Sequence, residues 1–150
     1  MFANPPNRTD YLSFLRNVAG VPVSALPDSS TQIDDTLAVA QDIVSMTIQE
    51  AAPTIYVLAV YNLATDRLLN YAIDQTGQTY FVDIRKAWNL LDITVGVISG
   101  GTDQGTTSAI ENPEQLKMLT LADLQMLKTP YGRTYLGFAQ SYGTNLWGLT

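Results

Sequence analysis

The side chains that could do chemistry in this 150-residue chain are mainly carboxylates and hydroxyls, because it contains no histidine and no cysteine. These absences exclude thiol nucleophiles, disulfides, cysteine-held zinc and iron–sulfur clusters, and they remove the commonest general base. A metal would need oxygen ligands alone, which suits calcium or magnesium better than zinc. We therefore predict no catalytic residues, no cofactor and no metal site.

The nearest approach to an acid–base set is the group of Asp34, Asp35 and Asp42. Glycosidase-type hydrolysis needs two carboxyl groups facing each other across a cleft, whereas neighbours on one helical turn point in different directions. Acids in a first turn also favour the helix dipole. A solvated helix face is preferred, and a small carboxylate-dependent hydrolase is the alternative. Asp66 and Arg67 are interpreted as structural, pairing across the bundle or at a subunit contact.

Residues 100–105 have the glycine spacing of a phosphate-binding loop. In that loop a lysine directly follows the second glycine and a helix begins, but here Thr106 holds the position. Residues 93–99 are β-branched and roughly alternating, so the glycines fit the tip of a β-hairpin over residues 93–110 better. A lone hairpin is marginal in water, and we expect a partner to order it.

Apolar residues spaced by three and four, together with capping residues, predict helices over most of the remaining chain. The predicted starts are Thr9 or Asp10, Ser29 or Ser30, Pro53, Val82, Asn112, Thr120 and Tyr131. In the second helix, Ser29 and Gln32 are spaced as a capping box. One apolar face of that helix is formed by Ile33, Leu37, Ala40, Val44 and Ile48.

The helix predicted from Pro53 to Ile73 is apolar nearly all round in its first half, as is typical of the central helix of a bundle. We predict a mainly α fold. It consists of a bundle of about five to six helices over residues 1–142, with one protruding β-hairpin at 93–110. An extended C-terminal arm follows at residues 143–150.

The chain is acidic, with 8 Lys and Arg residues, 14 Asp and Glu residues and a net charge of −6. Such a balance opposes binding to duplex DNA and to a membrane through a polybasic anchor. The longest apolar stretch, residues 55–64, is far shorter than the ~20 residues that span a bilayer. The N-terminus has no signal-peptide pattern. We expect a soluble protein that is made in the cytoplasm and has no membrane partner.

Aromatic residues are the clearest indication of protein contacts. Tyrosine is enriched at interfaces because it combines apolar area with a polar tip, although packing inside the bundle is preferred for Tyr56 and Tyr61. Trp147 lies with Leu146 and Leu149 in an uncharged C-terminal segment. It either anchors in a partner's pocket or folds back onto its own bundle.

Two segments of the chain resemble the small head–tail connector (adaptor, or neck) proteins of tailed bacteriophages. Residues 53–64 (PTIYVLAVYNLA) and 66–71 (DRLLNY) resemble the central helix of that family, and residues 128–136 (KTPYGRTYL) are similar to a segment near its C-terminus. The resemblance implies a helical bundle with a protruding loop or hairpin and a C-terminal arm. It also implies a ring, as a dodecamer, beneath the portal vertex.

The resemblance also implies which segments would make each contact. The arm, with Leu146, Trp147 and Leu149, would dock on the portal protein. The hairpin would contact a neighbouring copy, the tail or the next neck protein through Val95, Val97, Ile98, Thr102, Asp103 and Gln104. Contacts between copies would involve Asp66, Arg67, Tyr131, Arg133 and Tyr135.

In this interpretation the protein is a non-enzymatic component of the virion, at the head–tail junction, and is made in the host cytoplasm. DNA would pass through the ring without specific contacts, and acidic residues facing the lumen would repel it. A tail-completion or tail-terminator ring protein is the alternative within virion biology. A free regulatory binding module is the third possibility.

Overall fold

The computed structural model describes residues 2–92, 102–103, 106–107 and 121–142. Most of the described residues are helical, which confirms the prediction of a mainly α fold. The helices are α1 (Arg8–Asn17), α2 (Thr31–Ile43), α3 (Met46–Ala51), α4 (Pro53–Tyr71), α5 (Tyr80–Ala87), α6 (Leu121–Met126) and α7 (Pro130–Tyr142). No described helix combines the length and the apolar character needed to cross a membrane.

Helix α4 is the centre of the bundle, as its sequence predicted. It begins with Pro53 at the first helical position, where the missing amide hydrogen is no loss. Most of its residues from Tyr56 to Leu69 are buried, and α2 and α7 pack along its length. A helix that is apolar on nearly every side is stable in water only when other helices cover it.

Tyr56 and Tyr61 lie in the core, which confirms the preferred interpretation of both. The ring of Tyr61 stacks on that of Tyr11, with centroids 5.5 Å apart and planes 24° apart. Its hydroxyl accepts a hydrogen bond from the backbone N–H of Asn7 at 3.2 Å and donates one to the Asn7 carbonyl at 3.3 Å. Asn7 also caps α1, so Tyr61 fixes the start of that helix against α4.

The second predicted helix is two helices in the structure. Val44 and Ile48 are buried, as their spacing predicted, but α2 ends at Ile43 and Ser45 caps the start of α3 through the Thr47 amide. The expected capping box is also wrong, because Ser30 is the cap. The Gln32 side chain bonds the backbone of Ile73 at 2.7 and 3.3 Å instead.

Helix α5 follows α4 after a short loop, and side chains join the two. The Asp74 carboxylate accepts hydrogen bonds from the amides of Phe81 at 2.8 Å and Val82 at 3.0 Å, so it caps α5. The Arg85 guanidinium donates to the carbonyls of Leu69, at 3.0 Å, and Ala72, at the end of α4. The predicted helix from Val82 to Leu91 therefore begins earlier and ends earlier than expected.

Helix α7 matches the predicted last helix. It begins at Pro130, one residue before the predicted start at Tyr131, so this proline is the first residue of the helix as well as a break after the preceding one. Before it, α6 corresponds to the helix predicted from Thr120 to Lys128. The helix predicted to start at Asn112 lies outside the described residues, as does the arm at residues 143–150.

Of the predicted hairpin, the structure describes two strands of two residues each, β1 (Thr102–Asp103) and β2 (Thr106–Thr107). They pair in antiparallel fashion, with Thr102 opposite Thr107 and Asp103 opposite Thr106. The rest of the 93–110 segment is outside the described residues, so the protruding hairpin stays a prediction.

Candidate functional site

The second half of α4 meets the start of α7 at a buried junction formed by Asp66, Thr129 and Gly132. Asp66 is 4% exposed and Thr129 is 0% exposed. The Thr129 hydroxyl donates a hydrogen bond to Oδ1 of Asp66 and accepts one from the Gly132 amide at 2.8 Å. Thr129 therefore caps α7, because its oxygen satisfies a free amide of the first turn. We call these three residues the α4–α7 junction.

Gly132 is required in this junction because the backbone of Met126, the last residue of α6, comes very close to it. A Cβ atom at this position would lie 2.1 Å from the backbone oxygen of Met126 and 2.8 Å from Oδ1 of Asp66. Real side chains do not tolerate such distances, and a backbone oxygen cannot move aside without moving α6. The glycine thus serves close approach rather than an unusual backbone angle.

Asp66 is the titratable group of the junction. Burial raises its pKa to about 6, because desolvation disfavours the charged carboxylate. The Thr129 hydrogen bond and the nearby positive charge of Arg67 act in the opposite direction, without cancelling the effect of burial. The carboxyl group is therefore mostly ionised at pH 7 and becomes protonated in mildly acidic solution.

A carboxylate bonded to a hydroxyl is also the arrangement in which a base activates a nucleophile. Here the Thr129 hydroxyl has no exposed surface for a substrate to reach, and its other hydrogen bond caps α7. Among the described residues, no three His, Cys, Asp or Glu side chains form a group that could hold a metal ion. The contacts of the junction therefore join α4 to α7.

Next to the junction, α4 and α6 border a small cleft of about 70 Å³. Its lining residues are Asp66, Arg67, Asn70, Tyr71, Gln125 and Met126. Arg67 forms no salt bridge or hydrogen bond with any described residue, and its Nε atom is buried without a partner. Tyr71 is 72% exposed beside it. We call this feature the Arg67 cleft.

The residues predicted to contact neighbouring copies fall into two groups. Asp66 and Tyr135 are buried, so their side chains contact their own bundle. Of the two alternatives for Asp66, pairing across the bundle describes the structure, with Thr129 in place of a cation. Arg67, Tyr131 and Arg133 retain exposed surface; Tyr131 packs edge-on near Phe14, and Arg133 donates to the Leu127 carbonyl at 2.8 Å.

The three acids considered for hydrolysis lie on the solvent-exposed side of α2, which is their preferred interpretation. Asp34 forms a salt bridge with Arg8 at 2.8 Å. Asp35 and Asp42 are separated by seven residues and so share one face, with the exposed Val39 between them. Ile43, four residues after Val39, extends this surface with further exposed apolar area. We call Asp35, Val39, Asp42 and Ile43 the α2 outer face.

No site is described for the remaining predicted contact residues. The structure gives Thr102 and Asp103 a strand pairing only. The other residues assigned to the hairpin and the arm lie outside the described residues: Val95, Val97, Ile98, Gln104, Leu146, Trp147 and Leu149.

Two features escaped prediction from the sequence. The link between Asp66 and Thr129 joins residues 63 positions apart, and no local pattern indicates it. The α2 outer face was not predicted because the apolar residues of the opposite, buried face of α2 are enough to account for an amphipathic helix. An available signal was the second apolar pair, Val39 and Ile43, at helical spacing.

Comparison of the chain with protein-family models, with curated proteins and with solved structures finds no match.

Proposed function

We propose that this chain is a structural adaptor of the head–tail connector class, which assembles as a ring between the portal and the tail of a phage particle. The observation that carries the proposal is where the two family-like segments lie. Residues 53–71 form α4 and residues 128–136 contain the start of α7, and the two meet at the α4–α7 junction. The resemblance thus concerns one packed unit rather than two unrelated stretches.

The surfaces of the bundle are consistent with assembly. The α2 outer face and the Arg67 cleft differ in chemistry, and they lie on different elements, the first on α2 and the second between α4 and α6. A ring of identical copies needs two different complementary faces on each copy, because each copy contacts the next one head to tail. In this proposal the bundle forms the ring, the arm at 143–150 docks on the portal, and the 93–110 segment contacts the tail side.

The test is association with the portal protein encoded in the same genome as this chain. We expect purified chain to bind portal rings and to add a twelvefold ring visible by negative-stain electron microscopy. Deletion of residues 143–150 should abolish this binding while leaving the helical circular-dichroism signal and the melting temperature unchanged, because the bundle residues stay in place. Mass spectrometry of purified particles should detect the chain in stoichiometric amounts.

Other outcomes have definite meanings. A sixfold ring at the end of tail tubes would reassign the chain to the tail-terminator class. Failure to bind portal rings, together with absence from purified particles, would refute the virion role. Normal portal binding by the shortened chain would refute the function assigned to the arm.

A further inference from the structure

We propose that the Arg67 cleft binds a carboxylate from the α2 outer face of a second copy of this chain. The inference rests on the proposed function, because it assigns the contact between adjacent copies of the ring. It identifies Asp35 and Asp42 as the acids that approach Arg67, and the apolar part of the α2 outer face as the surface that covers Tyr71.

Arg67 differs from the other four arginines of the chain in its contacts. Arg8 and Arg16 form salt bridges at 2.8 and 2.6 Å, and Arg85 and Arg133 donate to backbone carbonyls. Arg67 has no such partner among the described residues, and its Nε atom is already removed from water. A partly desolvated guanidinium without a hydrogen-bonding partner gains from a carboxylate that can accept two parallel hydrogen bonds from it.

The amides around the cleft are already oriented. Asn70 donates from its side chain to the Asp66 carbonyl at 2.8 Å, and Gln125 donates to the Leu90 carbonyl at 2.6 Å. These bonds hold both side chains at the wall of the cleft. An entering carboxylate would therefore meet a preorganised site, in which little side-chain freedom is lost on binding.

The α2 outer face offers the complementary chemistry. Asp35 and Asp42 are exposed and form no salt bridge with any described residue, and Val39 lies between them on the same helix face. Val39 and Ile43 are each more than 40% exposed, and Tyr71 in the cleft is exposed to a greater extent. The two acids therefore complement the charge of Arg67, and the apolar strip beside them complements the exposed ring of Tyr71.

A charge exchange across the contact tests the proposal. Arg67→Glu and a double variant of α2 (Asp35→Lys with Asp42→Lys) should each lower the self-association constant, measured by sedimentation velocity, by at least about tenfold. An equimolar mixture of the two variants should associate again, because opposite charges then face each other at the mixed contact. Recovery in a mixture is the readout that damage to the fold could not produce.

Control variants change the charge in the same direction at other positions. Lys86→Glu on α5 and Glu50→Lys on α3 are exposed positions outside both surfaces, and they should leave self-association unchanged. The proposal is overturned if Arg67→Glu associates like the unaltered chain, or if the mixture fails to recover. It is also overturned if the unaltered chain stays monomeric up to about 1 mM, the limit of a very weak contact. Portal binding in any of these cases would leave the proposed function standing.

Discussion

At the scale of single residues, the α4–α7 junction joins two helices of the bundle through buried polar groups. Three side-chain and backbone groups meet there with almost no free space: the Asp66 carboxylate, the Thr129 hydroxyl and the Gly132 amide. Two of them have two roles each: Thr129 caps α7 and donates a hydrogen bond to Asp66, and Gly132 donates a hydrogen bond to Thr129 and leaves room for α6. Substitutions here should therefore have large effects that neighbouring positions do not share.

Replacing Gly132 with alanine should destabilise the fold by about 3 kcal/mol, the upper end of the usual cost of overpacking, because the added methyl group would collide with the Met126 backbone. Gly137, on the same helix, has no atom within 4 Å of an added Cβ. Gly137→Ala should instead stabilise the protein by about 0.5–1 kcal/mol, as alanine is the better helix former. Urea unfolding of both variants checks the contrast, and equal effects would contradict the close approach.

The raised pKa of Asp66 predicts a definite dependence of stability on pH. The folded protein holds this proton more tightly than the unfolded chain, so the stabilising contribution is complete below the usual value of 3.8 and is lost as the pH rises through about 6. The shift of about two pKa units corresponds to about 3 kcal/mol. Asp66→Asn keeps an oxygen acceptor for Thr129 but cannot titrate. The pH-dependent contribution of this position to the free energy of unfolding should therefore be absent from the variant.

The measurement is the free energy of unfolding of the unaltered protein and of Asp66→Asn at intervals from pH 4 to pH 8. The variant should gain stability relative to the unaltered chain as the pH rises. Asp42→Asn removes the same charge from an exposed position and controls for net charge. Parallel curves for the Asp66 variant and the unaltered protein would show that Asp66 does not titrate in this range.

At the scale of elements, side chains rather than the connecting backbone fix where α5 lies. Asp74 caps its start, and Arg85 reaches back to the last carbonyls of α4. Burial lowers the pKa of Arg85, although it stays charged, and the Asp74 charge counteracts part of that effect. An acid at one end and a base at the other also suit the helix dipole.

Asp74→Ala should cost about 1–2 kcal/mol, because two amides of the first turn of α5 lose their acceptor. Asp83→Ala provides the comparison, since its carboxylate accepts a bond from the exposed Thr79 hydroxyl at 2.8 Å. Its effect should be clearly smaller. Thermal and urea unfolding followed by circular dichroism measure both. A loss of the same size in the two variants would contradict the capping role of Asp74.

The sequence predicts these elements to different degrees, for physical reasons. Pro53 and the apolar run after it determine α4 locally, and so the central helix could be identified. The division between α2 and α3 could not, because Val44 and Ile48 continue the apolar spacing across it. Gln32 and Asp74 bond groups that the tertiary fold brings to them, and capping rules based on short spacing miss such partners.

At the scale of the whole molecule, an acidic chain must limit its own repulsion when copies assemble. A net charge of −6 on each copy opposes association in general. A contact that places acids of one copy against a cation of the next replaces this repulsion locally with attraction. Repulsion between exposed charges more than about 10 Å apart is largely screened at 0.1 M salt. The contact proposed between the Arg67 cleft and the α2 outer face would have this arrangement.

One set of hydrogen bonds makes two distant segments of the chain depend on each other. Lys128 donates to the carbonyls of Asn89 and Asp92, and Gln125 donates to that of Leu90. The donors lie 35 to 39 positions after the acceptors, in α6 and just after it, whereas the acceptors follow α5. Because these bonds join residues 89–92 to the region of α6, a change that displaces either segment would leave polar groups of the other without their partners.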